Sequence, residues 1–407
     1  MPNESNVYGV REKMNRNSLA KGINWVGVVD WNMRDFHGYI THRGTTYNSY
    51  LISDTKTALV DTVKSNFSKE FLEKIRKITD LKKIDYIIIN HVEMDHSGVL
   101  PKIAKLAKNA TILASRRGKD AIIEHFGKDL CIETVKTGDK LNLGNRTLQF
   151  IETPMLHWPD SMFTYIVEEK ILLSNDAFGQ HLATNFRFDD QVDEHVLMEE
   201  AMSYYANILM GYRAVFSRKI QEVKKMGLEP NIIAPSHGLV WRSYSSKIVK
   251  SYLDWSAGIS KQKAVVVYDT MYESTDKMAM AITEGLSSQG IEVKLLKLRV
   301  SDLSLITTEI LESKIVIVGS PTLNNQLFPS VSAFLTYIIG LKPKDKLWGF
   351  FGSYGWSGEA VKYMTEIVKK VGFEVFNSGL TVKYVPNQED LKKCIEFGKK
   401  IAIKIKI

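Results

Sequence analysis

The sequence predicts an α/β protein in two halves: mixed strands and helices first, then a doubly wound parallel sheet. Three observations carry this. The chain has 407 residues, and at roughly 100–200 residues per domain two to three domains are expected. Continuous apolar runs at 85–90 (DYIIIN), 264–268 (AVVVY) and 314–319 (KIVIVG) read as strands buried on both faces. From residue 263 onward, strand and helix patterns alternate cleanly, the rhythm of a parallel sheet covered by helices.

Taken in order, 48–51 and 57–61 read as a hairpin, and 67–78 has helical spacing. The run 85–90 is a buried strand, followed by strands at 111–114, 134–135 and 148–152 and a helix at 117–126. Further strands fall at 162–167 and 171–174. A long helical stretch runs from 194 to 208 and onward to 226, before a strand at 231–234. In the second half, strands at 264–268, 292–297, 314–319, 347–351 and from 374 alternate with helices at 277–289, 304–311, 330–339 and 359–371. Five strands in about 145 residues resemble a flavodoxin-like sheet, whose ligand sits at the carboxyl ends of the strands.

Composition excludes several classes. Lys+Arg number 54 and Asp+Glu 46, a net charge of +8, with 44% hydrophobic and 25% charged residues. That balance belongs to a globular chain, not to a disordered, collagen-like or coiled-coil one. No apolar run approaches the roughly 18 residues of a membrane span. The opening MPNESNVYGVREKMNR is polar and unlike a secretory signal. The lysines spread along 69–83, 102–119 and 392–406 without a basic block, which argues for an acidic partner or a solvated surface and against nucleic acid. Cys131 and Cys394 are far apart; a disulfide framework is excluded and a reducing cytoplasm fits. Two thiols cannot hold a four-thiolate iron or iron–sulfur centre, so any electrons travel on another cofactor.

The chemistry-bearing string is His91-Val92-Glu93-Met94-Asp95-His96-Ser97-Gly98, directly after the run 85–90. One histidine there would read as an ordinary core residue. Four potential ligands within six residues at the end of a strand point to metal. An extended segment would put 91, 93 and 95 on one face. A turn at 95–96 instead sends Asp95 and His96 to a second position, so one loop can serve two metals. His157, Asp176 and His237 are further candidates, each following an apolar strand.

The string HxExDHSG, with those three residues downstream, resembles the metallo-β-lactamase-fold core of the flavodiiron proteins, and the resemblance covers nearly the whole chain. It implies a metallo-β-lactamase-like αββα sandwich over 1–260 and a flavodoxin-like domain over 261–407. It implies one iron held by His91, Glu93 and His157, a second by Asp95, His96 and His237, and Asp176 bridging them. Zinc hydrolases of this superfamily usually carry HxHxDH. Glu93 in place of the second histidine is a harder, anionic ligand that suits iron redox chemistry better than zinc. His37, within WNMRDFHG, resembles a pocket histidine of that family. Tyr204 or Tyr205 would offer a hydroxyl to the substrate, and Trp158 would wall the pocket. His42, His125, His181 and His195 read as structural or surface residues.

In the second half, DTMYEST (269–275) follows a strand and opens a helix. Hydroxyls and N–H groups at a helix N-terminus cradle phosphate. Neither GK[ST] nor GxGxxG is present, so this is not a nucleoside-triphosphate or dinucleotide loop. It resembles the phosphate loop of flavodoxins, which bind FMN, with Thr270, Met271, Tyr272, Ser274 and Thr275 as contacts. Glu273 stands where flavodoxins commonly have glycine, so its side chain must point outward. The loop after the third strand (Pro321, Thr322, Leu323, Asn324) and that after the fourth (Ser353, Tyr354, Gly355, Trp356, Gly358) would clasp the flavin ring.

The family resemblance then implies a cytoplasmic oxidoreductase that scavenges dioxygen or nitric oxide, with dioxygen favoured. Reducing dioxygen to water takes four electrons, which two ferrous irons and one FMN hydroquinone supply; two nitric oxide molecules need only two. The donor would be a separate rubredoxin or a reduced deazaflavin coenzyme (F-420). A head-to-tail homodimer, or a dimer of dimers, would bring the FMN of one subunit to the irons of the other. Two other classes compete: a binuclear hydrolase, turning over without reductant, and a plain flavodoxin carrier without stoichiometric iron.

Overall fold

A computed structural model describes residues 17–405; the polar opening segment lies outside them. The first half builds two facing sheets. The first contains Ser18–Ala20 (β1), Ile23–Trp25 (β2), Tyr50–Ser53 (β3), Thr57–Val60 (β4), Ile84–Ile89 (β5), Thr111–Ala114 (β6) and Ile132–Thr134 (β7), paired in that order. The second contains Lys140–Asn142 (β8), Thr147–Glu152 (β9), Met162–Ile166 (β10), Ile171–Leu173 (β11) and Ile232–Ala234 (β12), also in order. Alternate residues of each strand face opposite ways. Tyr50, Ile52, Val60 and Ile88 from the first sheet therefore meet Leu148, Phe150, Met162 and Leu173 from the second. The other face of the first sheet packs on helices Ser68–Arg76, Leu100–Leu106 and Arg116–Phe126 through Phe71, Ile75, Ile103 and Ile122. The other face of the second packs on Glu194–Tyr204, Arg213–Lys225 and Ser245–Ser256. The layers are αββα.

The second half is a parallel sheet of Lys261–Tyr268 (β13), Glu292–Lys297 (β14), Ser313–Gly319 (β15), Leu347–Tyr354 (β16), Glu374–Val375 (β17) and Leu380–Lys383 (β18). Its order is β14-β13-β15-β16-β17, with β18 also on β16, the 2-1-3-4-5 winding of a flavodoxin. Val265, Val316 and Phe350 face helices Leu303–Glu312 and Pro329–Leu341. Val266, Ile317 and Phe351 face Ser274–Ser287 and Gln388–Lys404. One apolar cluster runs through both halves.

Three departures from the sequence reading bear on the sites. The helix expected to run on from 194 to 226 is broken: a π turn at Tyr205–Leu209 and a 3-10 turn at Met210–Tyr212 interrupt it. Gly211 is a poor helix former, and Asn207 is drawn into the seam between the halves by Tyr337 and Ser304. The fifth strand of the second half is split into β17 and β18. Short strands before residue 48, including the pairs Val28–Asp30 with Thr45–Tyr47 and Asp35–Phe36 with Tyr39–Ile40, carry too few residues for a period to register.

Candidate metal centre and cofactor pocket

The buried strand β5 delivers His91 and Glu93, and the helical turn Met94–Ser97 that follows supplies Asp95 and His96. Strands β9, β11 and β12 run in one direction and lead into the loops bearing His157, Asp176 and His237. Gly238 adopts φ +80°, and a Cβ there would overlap the Gln180 side chain. Gln180 in turn accepts the Leu239 amide at 2.6 Å, closing the His237 loop.

All seven predicted donors converge in two groups: His91, Glu93, His157 and Asp176, and Asp95, His96 and His237. Asp176 divides its oxygens between them. Its Oδ2 lies 3.3 Å from His157 Nε2 and 3.6 Å from His91 Nε2. Its Oδ1 lies 3.1 Å from His96 Nε2 and 3.5 Å from His237 Nε2. Glu93 Oε2 closes the first group, 3.2 Å from His91 and 3.3 Å from His157. Asp95 closes the second, 3.3 Å from His237. Both oxygens of Asp95, Asp176 Oδ2 and His237 Nε2 are buried without a hydrogen-bond partner. Buried polar atoms are almost always satisfied, so three carboxylates and four imidazoles aimed inward fit a pair of cations.

Outer partners set the rings. Asp160 Oδ2 lies 3.0 Å from His91 Nδ1 and accepts the Val92 amide at 2.8 Å. His237 Nδ1 donates to the Thr46 carbonyl at 2.7 Å. Both leave Nε2 facing the centre. His37 Nε2 meets Glu93 Oε1 at 2.7 Å, and the Tyr204 hydroxyl donates to Asp176 Oδ1 at 3.1 Å. Tyr205 instead bonds Ser256 at 2.9 Å, away from the centre. Trp158 packs on His91, ring centres 5.1 Å apart.

The charges interlock. Burial opposes ionisation of Asp176, but His96 and His157 hold its carboxyl well below the usual range. Burial likewise opposes the imidazolium of His96, yet Asp95 and Asp176 raise its pKa to about 9. Metal binding here must displace such protons. Asp160 was not foreseen; its only signal is an acidic residue three positions after His157. His181, read as structural, is buried with its ring centre 5.0 Å from that of His237 and Nδ1 2.8 Å from Thr45 Oγ1. Asp160→Asn weakens the grip on His91 without removing a ligand. It is expected to lower metal affinity by about 10–100-fold, measured by chelator competition.

A second cavity, of about 430 Å³, opens at the carboxyl ends of β13, β15 and β16. Of the predicted contacts it takes in Met271, Tyr272 and Ser274, then Pro321, Thr322, Leu323 and Asn324, then Ser353, Tyr354, Gly355 and Trp356. Thr275 stands just behind, its hydroxyl 2.9 Å from that of Ser353. Thr270 is buried with a free hydroxyl, and Gly358 packs under the Tyr354 ring. Tyr384 and Val385 complete the wall; they follow β18, whose split from β17 hid them. Glu273 is exposed at φ +65°, capping the helix Ser274–Ser287. Glutamate tolerates that left-handed turn poorly and a β-branched residue worse. Glu273→Val is expected to cost about 1–2 kcal/mol in urea unfolding, whereas Glu273→Gly is tolerated.

An αββα metal-site domain joined to a flavodoxin-like domain defines a class of two-domain metalloflavoproteins. The sequence pattern of the ODP family beta lactamase matches residues 45–238, and that of flavodoxin matches 266–398. The chain is 50% identical over 392 residues to the nitric oxide reductase of Moorella thermoacetica, covering 95% of this chain and 98% of that one. Its structure superposes on the rubredoxin oxygen:oxidoreductase of Desulfovibrio gigas with a TM-score of 0.94, at 41% identity over 96% and 98% of the two chains. The flavodiiron protein of Giardia intestinalis superposes at 0.91, with 38% identity over 95% of each chain. The chain belongs to the flavodiiron protein family.

Proposed function

We propose that the chain reduces dioxygen to water at a pair of irons, with electrons relayed through FMN. As a member of its family it is an oxidoreductase whose cofactors are FMN and two irons. The observation that carries the reading is Asp176, one oxygen turned to each group of donors. Residues 1–260 serve as the diiron domain and 261–407 as the FMN domain. His91, Glu93 and His157 would hold one iron and Asp95, His96 and His237 the other, with Asp176 offering one oxygen to each. A bound iron pair would supply two electrons to a small oxidant, and FMN two more.

The chain's own groups prepare that site. His37 fixes one oxygen of Glu93, leaving the other for metal. Burial and the Asp176 charge push the Tyr204 pKa well above its ordinary value, so its hydroxyl stays a neutral donor beside the bridge. The Met271, Tyr272 and Ser274 turn and the helix behind it cradle the FMN phosphate. Tyr272 and Trp356, 90% and 82% exposed at the cavity, would hold the flavin ring within reach of a donor, a reduced deazaflavin coenzyme or rubredoxin. Among the described residues no helix is long and apolar enough to cross a membrane, which is compatible with work in the cytoplasm.

The placement of the helix Pro329–Leu341 supports a head-to-tail dimer. The helix starts just after the loop Pro321–Asn324 and ends beside His37 and His157. Its 13 residues span about 20 Å at 1.5 Å each, so the two cofactor sites of one chain lie at opposite ends of it. In a head-to-tail dimer the FMN of the partner subunit would instead be brought to these donors.

Nitric oxide as substrate is the second reading, favoured by the relative at 50% identity that bears that name. Anaerobic turnover of the iron- and FMN-loaded protein, with electrons from an artificial donor, separates them. Faster dioxygen loss, giving water without peroxide, is expected. Faster nitric oxide loss with nitrous oxide formed would reverse the preference. Turnover of neither gas would remove both readings.

A further inference from the structure

A cavity of about 250 Å³ opens in the seam between the two domains. Phe36, His37 and His157 line the end at the metal site, and Asn207 and Gly211 one wall. The end of the helix Pro329–Leu341, with Tyr337 and Gly340, forms the other. His157 is the most exposed of the seven donors: its side chain is 13% exposed, against 8% for Glu93 and 7% for Asp95. The cavity therefore reaches the metal site at His157.

Two glycines face each other across it. Neither Gly211 nor Gly340 takes a left-handed conformation, so the backbone does not require glycine at either position. Gly340 lies inside a helix, where glycine is unfavourable. A Cβ at Gly340 would meet no heavy atom within 4 Å. One at Gly211 would first meet the backbone of residues 340 and 341, in ordinary contact from 3.6 Å. What a larger side chain would occupy is the open space itself. The walls are also tied together. The Tyr337 hydroxyl donates to Asn207 Oδ1 at 2.8 Å, and Asn207 Nδ2 donates to Ser203 O at 2.9 Å and Ser304 O at 3.2 Å. Asn207 sits on the π turn, a distortion that recurs at functional sites and here turns the amide into the seam.

We infer that this seam cavity is the passage by which a diatomic gas reaches the metal pair. The missing side chain at Gly211 keeps it open, and the Asn207–Tyr337 hydrogen bond sets its width. Aromatic rings, an amide and bare backbone line it beside His37, His157 and Lys342, with no carboxylate; an uncharged molecule small enough to need no fixed pose can pass such mixed walls. The inference rests on the proposed reduction of a gas at that centre.

Two measurements test it. Crystals of the wild-type protein under xenon pressure are expected to hold xenon in this cavity. This arm needs no iron chemistry, so it decides the passage even if the proposed function fails. Gly211→Leu, with the leucine seen in the cavity by crystallography, is expected to lose the xenon. It is also expected to slow nitric oxide association with the diferrous protein by about tenfold or more, with iron and FMN content unchanged. Gly340→Ala, a better helix former that leaves the space clear, is expected to match wild type. Absence of xenon from the wild-type cavity would overturn the inference. So would an unchanged association rate in the filled variant while the wild type binds gas.

Discussion

Asp176→Ala is expected to abolish gas reduction while leaving FMN in place. The residue is 1% exposed and lies against four imidazoles of both donor groups. Removing it takes one carboxylate from each metal and leaves clustered histidines without their shared counter-charge. The loss must exceed the about 10–100-fold cost of an outer partner, and iron bound per chain should fall well below two. Asp176→Asn, of nearly the same shape, separates charge from packing. It is expected to fold like the wild type, yet to bind iron poorly, because an amide offers one acceptor where the bridge needs two anionic ones. Iron analysis, flavin absorbance and turnover on the same preparation read all three quantities. Full iron occupancy in Asp176→Ala would contradict the bridging role.

The second large effect is complementation between crippled chains. Asp176→Ala lacks the metal pair. A chain with Trp356→Ala and Tyr272→Ala, stripped of the two aromatics over the 430 Å³ cavity, is expected to lose FMN. Each alone should be inactive. Mixed after dissociation and reassociation, they should regain activity toward a quarter of wild type, because half of the dimers are mixed and each mixed dimer has one intact pair of sites. That holds only if electrons cross between subunits, as the helix Pro329–Leu341 argues. Activity absent from the mixture, with mixed dimers shown by mass, would place the transfer within one chain.

Much of this was legible in the sequence because it is carried by local chemistry. The strand-then-ligand pattern at His91, His157, Asp176 and His237 survives folding, since a buried apolar strand ends where its loop begins. Alternation in the second half held for the same reason: β13, β15 and β16 are apolar on both faces. The three loops around the 430 Å³ cavity are legible because each follows such a strand. What could not be read was what tertiary packing decides. Asp160 and Thr46 orient His91 and His237 from 69 and 191 residues away, and no spacing announces such partners. Tyr384 reaches the 430 Å³ cavity only because the last strand is split. The break at Tyr205–Leu209 is set by Asn207 bonding across to the other domain, which overrides a helical pattern continuous in the sequence.

The central claim is that FMN and the iron pair act in series on a small oxidant. A single-turnover experiment tests it most directly. The fully reduced protein is mixed with dioxygen, and flavin absorbance and peroxide are followed, in iron-loaded and iron-free preparations alike. In the loaded protein, flavin oxidation is predicted to be fast and to yield water; in the iron-free protein, slow and accompanied by peroxide. Equal rates in the two preparations, with peroxide from both, would contradict the account, because the seven converging residues would then have no part in the reduction.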